Sequence, residues 1–504
     1  MNWDMELNVC RWYTMTAADG SVSETWNYLK QNGVQGFLDI WPRPTATAYK
    51  IIVVYGLFEA ALQLLLPAKT VYGPISPTGH QPVYKANGVA AYLVTLITYM
   101  ALWWFGIFNP TVVYDHLGEI YSALIFGSFV FCILLYIKGH LAPSSTDSGS
   151  SGNIIIDFYW GMELYPRIGK YFDIKVFTNC RFGMMSWAVL ALTYCIKQYE
   201  ENGKVSDSML VNTALMLIYV TKFFWWEAGY WNTMDIAHDR AGFYICWGCL
   251  VWVPSVYTSP GMYLVNHPVN LGIQLAISIL LAGILCIFIN YDCDRQRQEF
   301  RRTNGKSTVW GKAPSKIEAS YTTTTGETKR SLLLTSGWWG LSRHFHYVPE
   351  ILAAFFWTVP ALFNHFLPYF YVIFLTILLF DRAKRDDDRC RSKYGKYWKL
   401  YCDKITVRYQ NFYLSLSGSA EQGKDSNEED TNTARELSSG KGKVAHYDDH
   451  LTPAERRYIE QREQLDVHRL AKIANKSHRD RIQDFNQYLA NMSEHYDIPK
   501  VGPG

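Results

Sequence analysis

Apolar runs of near bilayer-crossing length, separated by short polar stretches, fill the chain as far as Phe380, where the pattern gives way to charge. The runs lie near 49–67, 88–109, 119–138, 182–196, 208–226, 241–258 and 270–290. An α-helix needs roughly 20 apolar residues to cross the hydrocarbon core. A further stretch from Ile351 to Phe380 is broken only by Pro360, Asn364, His365 and Pro368, and reads as a re-entrant pair of helices. Its basic-aromatic entry (SLLLTSGWWGLSRHFHYVPE) and charged exit (DRAKRDDDRCRSKYGKYWKLY) are expected on one side of the membrane. The fold class is therefore all-α: a polytopic transmembrane helical bundle with about nine spans.

Between the runs, residues 20–45 carry the breakers Asn32-Gly33, Pro42 and Pro44 and read as a structured extramembrane segment. Residues 143–153 (PSSTDSGSSGN) read as a flexible loop with nothing to bury. Arg295, Arg297, Arg301, Arg302, Lys306 and Lys312, and then Arg382, Lys384, Arg385 and Arg389, put the ends of the last spans in the cytosol. Residues 303–330 become a short cytosolic hairpin or loop. Beyond Tyr401 the character changes: 409–443 has the composition of a disordered linker, and 444–504 that of a short helical tail. Thr452-Pro453-Ala454-Glu455 is a capping box that starts a charged helix running to about Lys476. Ile482, Phe485, Leu489 and Met492 add a stripe too narrow for a core of its own, which suits docking on a large partner.

Composition sharpens this picture. With 18 Trp, 35 Tyr and 26 Phe but only 18% charged residues, the 504-residue chain is too apolar and aromatic for a string of soluble domains. A mean hydropathy of −0.08 averages an apolar body with a hydrophilic tail. A net charge of +3 does not mark the whole chain as a nucleic-acid binder. The 10 cysteines lack paired CxxC units, so no metal site is expected, and Cys246 and Cys249 read as packing residues in a Trp-rich helix. The start, MNWDMELNVCRWYTM, has no apolar h-region, so internal spans are expected to direct insertion.

Ionisable groups near membrane spans mark candidate chemistry. KFFWWEAGYWNTMDIAHDRAGFY places Lys222, Glu227, Asp235, His238 and Asp239 between two apolar runs. Two readings stand. The charges are solvated in a juxtamembrane loop, or they line an aromatic pocket in which a carboxyl with a raised pKa can donate a proton. Arg297 and Arg301 are four residues apart and share a helix face suited to a phosphate, against the alternative of positive-inside decoration. No GxGxxG unit on a strand and no P-loop occurs, so a nucleotide would be held in a membrane-embedded pocket. Gly337 and Gly340 allow close backbone approach around Trp338 and Trp339. Interfacial anchoring accounts for Trp338, Trp339 and Tyr347, but not for Arg343, His344 and His346.

GWWGLSRHFHY, LPYFY at 367–371 and RDDDRCRSKYGKYWKLY, together with GMELYPRIGKYFDIK, DIAHDRAGFY and YLVNHP, resemble the membrane sterol reductases, the family of Δ14 reductases and the lamin B receptor. The resemblance runs over residues 12–408, and SRHFHY, with His344 where Δ14 enzymes tend to carry Lys, is most similar to the plant-type Δ7 branch. It implies an NADPH-dependent enzyme of the endoplasmic reticulum that reduces the C7–C8 double bond of a Δ5,7-sterol. Other sterol-pathway enzymes are possible partners. The implied cofactor contacts are Arg297, Arg301, Leu334, Trp339, His346, Tyr347, Asp386, Cys390, Arg391, Ser392, Lys393, Tyr394 and Tyr401. Arg297 stands where Lys is common, and His346 where Asn is common. Tyr219, Glu227, Asp235, His238 and Asp239 fall towards the sterol side as candidate catalytic residues. Alternatives within the same architecture are a sterol-binding scaffold like the lamin B receptor and an isoprenylcysteine-type methyltransferase.

Residues 1–408 are thus expected to form a reductase membrane domain, without the additional apolar span with which members of the family it resembles usually begin. The tail from Lys443 resembles the "family with sequence similarity 32" proteins of the spliceosome, so a fused transcript is expected, whose tail alone could bind a spliceosomal complex. A linker with nothing to pack makes the tail dispensable. Deleting everything after Arg408 should leave sterol conversion unchanged in membranes that contain equal amounts of protein.

Overall fold

The computed structural model describes residues 30–405, apart from 37–40, 77, 170, 171 and 323–327. Calls that fall on the tail and on the linker lie outside the described residues. The chain is mostly helical. Helix α1 (Ala46–Leu65) starts at Thr45, whose hydroxyl caps the Ala48 amide and also bonds Glu119. Helices α2 (Gly88–Trp104) and α3 (Leu117–Leu141) follow. Then come α4 (Met185–Asn202), entered through a π-helical turn at Phe177–Met184, and α5 (Asp207–Trp225). Helix α6 (Ser259–Asn266) leads into α7 (Ile273–Arg302), and α8 (Tyr347–Thr358) and α9 (Phe370–Tyr394) close the bundle.

Four of these, α1, α3, α5 and α7, are long and apolar enough to cross a membrane, and α2 and the stretch Tyr347–Ala361 are shorter apolar helices. The nine expected spans are not matched one for one. The 241–258 run divides into a short helix (Phe243–Trp247) and a π-helix (Gly248–Tyr257) around Pro254, whose missing N–H breaks the ordinary ladder. In the 350–380 stretch, Pro360 and Pro368 end α8 and begin α9, giving a helical hairpin whose outer ends, at Tyr347 and Arg382, line one cavity. At 1.5 Å per residue, the 30 residues of α7 extend about 45 Å, so its charged last turns project past a ~30 Å hydrocarbon core.

The all-α expectation needs correcting. Strands β1 (Thr70–Tyr72) and β2 (Val83–Lys85) form one antiparallel pair, and residues 167–168 pair with 172–173. The expected connection at 303–330 contains half of a β-hairpin, β3 (Lys316–Thr322) with β4 (Thr328–Leu334), in register Ile317↔Leu333 and Ala319↔Ser331. Alternation along β3 buries Ile317 and Ala319 against Tyr394, Trp398 and Tyr401. Residues 143–153 also have something to bury: Asp147 accepts from Thr78 at 2.5 Å, and Ser151 N donates to Asp157 at 2.7 Å.

Inside the bundle, Arg181 (0% exposed) on the π-turn pairs with Glu227 (3% exposed), and its other terminal nitrogen donates to Asn87 Oδ1 at 2.9 Å. Glu227 also accepts from the Gly88 amide at 3.0 Å, and a Cβ at Gly88 would collide with that carboxylate. Nearby, Glu59 accepts from Thr95 at 2.6 Å. These bonds tie α1 to α2, and α2 to the π-turn and the segment after α5. Removing one member of a buried pair strands a charge, at a cost of about 3–5 kcal/mol, whereas replacing both with apolar residues costs less. Glu227→Ala should therefore lower thermal unfolding in detergent sharply, and the double variant R181M/E227M should recover part of the loss.

Candidate active site

A cavity of about 1900 Å³ opens beside the last turns of α7, well above the ~300–1,000 Å³ of a single small-molecule pocket. It has room for two ligands. Helix α7 supplies one wall through Asn290, Asp294, Arg297 and Arg301, spaced i, i+4, i+7 and i+11 on one face. The loop after β4 is pegged to that helix: Trp339 Nε1 donates to Cys293 O at 2.8 Å and Trp338 Nε1 to Asp292 Oδ2 at 2.8 Å. Gly337, at φ +64°, makes the approach possible, because a Cβ there would meet Gln296 and Val309. Both indoles therefore act as pegs on α7.

The mouth is cationic. Ten Arg and Lys side chains line the cavity, against four carboxylates. Arg297 pairs loosely with Asp294 at 3.4 Å, and its guanidinium lies 4.5 Å from the Trp339 ring centroid. Among the described residues Arg301 makes no ion pair. Lys393 sits 4.3 Å over the Tyr321 ring of β3. The opposite end is aromatic, walled by Trp187, Tyr219, Tyr257, Tyr371 and Phe374.

Of the residues singled out in the sequence, Arg297, Arg301, Leu334, Trp339, His346, Tyr347, Asp386, Cys390, Lys393, Tyr394 and Tyr401 all line this one cavity, as do Tyr219, Asp235 and His238. Arg391 and Ser392 do not; Arg391 turns outward to Asp387 at 2.9 Å. Asp239 lies behind the wall, paired with Arg385 at 3.2 Å, and burial raises its carboxyl pKa against the pull of that guanidinium. Glu227, expected among the catalytic groups, does not line the cavity and is paired with Arg181. Burial pushes the Cys390 thiol up to about 12, so it packs rather than reacts. Desolvation, helped by Arg389 and Lys393, pushes His238 down to about 4.

Sequence reasoning missed several lining groups. Arg382 pairs with Asp235 across the cavity, and Glu350 accepts from the Tyr219 hydroxyl. Lys222, noted only as one of a cluster of charges, donates to Asn290. Glu350 follows the RHFHYVP segment directly and reads there as the edge of an apolar run. Asn290 and Asp294 extend the Arg297 and Arg301 spacing backwards, and that periodicity is the signal that could have found them.

A helical membrane bundle enclosing a cavity that is cationic at the mouth and aromatic within defines a membrane protein that can bring an anionic ligand against an apolar one. The chain belongs to the Ergosterol biosynthesis ERG4/ERG24 family, whose model matches residues 5–414. It is 83% identical over 397 residues to "7-dehydrocholesterol reductase" of Arabidopsis thaliana, covering 79% of this chain and 92% of that protein. It is 38% identical over 386 residues to "7-dehydrocholesterol reductase" of Xenopus laevis, covering 73% and 82%. It is 36% identical over 365 residues to "Delta(14)-sterol reductase" of Methylotuvimicrobium alcaliphilum, covering 72% and 83%.

His344 Nε2 and His346 Nδ1 are buried without a hydrogen-bond partner. Desolvation lowers both pKa values, that of His346 further through the Arg297 cation. Below about pH 6.5 the unfolded chain therefore binds protons that the fold refuses, and stability falls as pH drops, with no such loss above that pH. Thermal unfolding followed from pH 7 to pH 5 should show a shallower decline in His346→Gln than in the wild type. Equal slopes would exclude His346 as a source.

Proposed function

We propose that this chain reduces the C7–C8 double bond of a Δ5,7-sterol with NADPH as reductant, as a multi-pass enzyme of the endoplasmic reticulum membrane. The 83% identity to a protein named 7-dehydrocholesterol reductase carries the reaction. The chain is accordingly a sterol Δ7 reductase and an oxidoreductase of sterol biosynthesis. The cofactor class is supported by the cationic mouth and by the two orphaned imidazole nitrogens, which give a large polyanionic nucleotide both charge and hydrogen-bond partners. When bound, the cofactor supplies a hydride.

The chain's own residues do the rest. Arg297, Arg301 and Lys393 would hold the phosphates, and Leu334, Trp339, His346, Tyr347 and Tyr401 would flank the rings. Asp386 lines the same wall. The aromatic end would exclude water and take the sterol, with the Tyr219 hydroxyl as proton donor beside it. Asp235 is occupied by Arg382 and reads as a strut of that wall. The tail lies beyond both the matched range and the described residues, so its spliceosomal resemblance and any contact with other sterol-pathway enzymes play no part in this reading.

Purified protein supplied with NADPH should abolish the ultraviolet absorbance of a Δ5,7-diene. Sterol binding without turnover would favour a scaffold, and S-adenosylmethionine binding a methyltransferase. If Arg301 holds a phosphate, Arg301→Ala loses a charge-assisted contact of about 1.5–3 kcal/mol, and the NADPH KM should rise roughly ten-fold or more. A 2′-phosphate contact would leave NADH much less affected, whereas equal losses for both would point to shared phosphates.

A further inference from the structure

Glu350 and Lys222 belong to neither the catalytic nor the cofactor-binding set derived from the family resemblance, yet both line the cavity beside Tyr219. The Tyr219 hydroxyl bonds Glu350 Oε1. Its ring is wedged against Trp187 at 5.3 Å and Trp357 at 5.1 Å between centroids, so the hydroxyl is aimed by packing as well as by that bond. One turn along α5, the Lys222 ammonium lies 5.5 Å from the same ring and donates to Asn290, whose amide donates to His346 O at 2.9 Å. The charged groups acting on Glu350 are Lys222, Asp294 and Arg382. Asp294 and Arg297 then continue along α7 to the mouth. Ionisable groups are costly at membrane depth, and here a series of polar side chains lines the cavity from the mouth to the Tyr219 phenol at the aromatic end.

We propose that Glu350 is a positioning residue that aims the Tyr219 hydroxyl and returns a proton to it, with Lys222 as the next carrier toward the mouth; this rests on the Δ7-reductase reading. In the reacting state the Glu350 carboxyl is protonated and the bond to Tyr219 runs the other way, from Glu350 to the phenolic oxygen; as the Tyr219 O–H bond breaks and a C–H bond forms at one alkene carbon, the Glu350 O–H proton passes to that oxygen. A proton then passes from the Lys222 ammonium to the Glu350 carboxylate through an intervening water, since the ammonium itself bonds Asn290, and a proton from solvent at the mouth restores the ammonium. The second alkene carbon takes the hydride, with both electrons of that bond, from the reduced cofactor. One proton and one hydride are consumed for each double bond.

The test is a double-mutant cycle on the full chain in detergent, with NADPH binding read by fluorescence. Glu350→Gln keeps a hydrogen-bond donor but cannot pass a proton. It should lower kcat roughly 10²-fold with NADPH affinity and KM unchanged, and Glu350→Asp should restore most of the rate. In a Tyr219→Phe background, E350Q should cost less than about three-fold more, because the two residues act as one unit. Losses that multiply, or an E350Q enzyme with wild-type kcat, overturn the relay. If E350Q no longer binds NADPH, Lys222→Gln is read in its place: the same selective fall in kcat supports the relay, and an unchanged kcat overturns it. A wild-type protein that does not convert the diene would instead overturn the Δ7-reductase reading itself.

Discussion

The ion pair between Arg181 and Glu227 is the constraint on which the rest of the architecture depends. A guanidinium with no exposed surface inside an apolar bundle is tolerable only if its charge is met, and Glu227 meets it while Asn87 takes its second terminal nitrogen. Because Arg181 rides on the π-turn that leads into α4, and Glu227 opens the segment after α5, the pair fixes the far wall of the cavity relative to α2. Gly88 is part of the same device, since only a residue without a side chain leaves room for the carboxylate that its amide binds.

With that wall fixed, the cavity acquires two chemically different ends. Helix α7 is long enough to bring its last turns out of the hydrocarbon region, where Arg297 and Arg301 can stay charged, while Asn290 remains deeper on the same face. The indoles of Trp338 and Trp339 hold the connecting loop against this helix, and the β3–β4 hairpin rests on the end of α9 and the residues after it. A polyanion and an apolar ring system can therefore meet without either entering the other's environment. Departures from regular helix occur where this meeting takes place: the π-helix Gly248–Tyr257 carries Trp252 and Tyr257 into the cavity, and Pro254 within it bonds Tyr121 through its carbonyl at 2.8 Å.

Much of this was legible in the amino-acid sequence because the signals were local. The long spans at 117–141 and 273–302, the break at Pro360 and Pro368, and the shared face of Arg297 and Arg301 all follow from periods of a few residues. The motifs around Trp339, Tyr347 and Lys393 pointed to one site, and their side chains do line one cavity. Tertiary structure alone decided which charge met which. Glu227 and Asp235 read alike in sequence as carboxylates in an aromatic stretch, but one became a buried strut and the other a cavity-lining partner of Arg382, 147 residues away. Tyr219 met Glu350 across 131 residues. Helical periodicity records the face on which a side chain stands, but the partner it finds depends on how distant helices pack, and no local pattern carries that information.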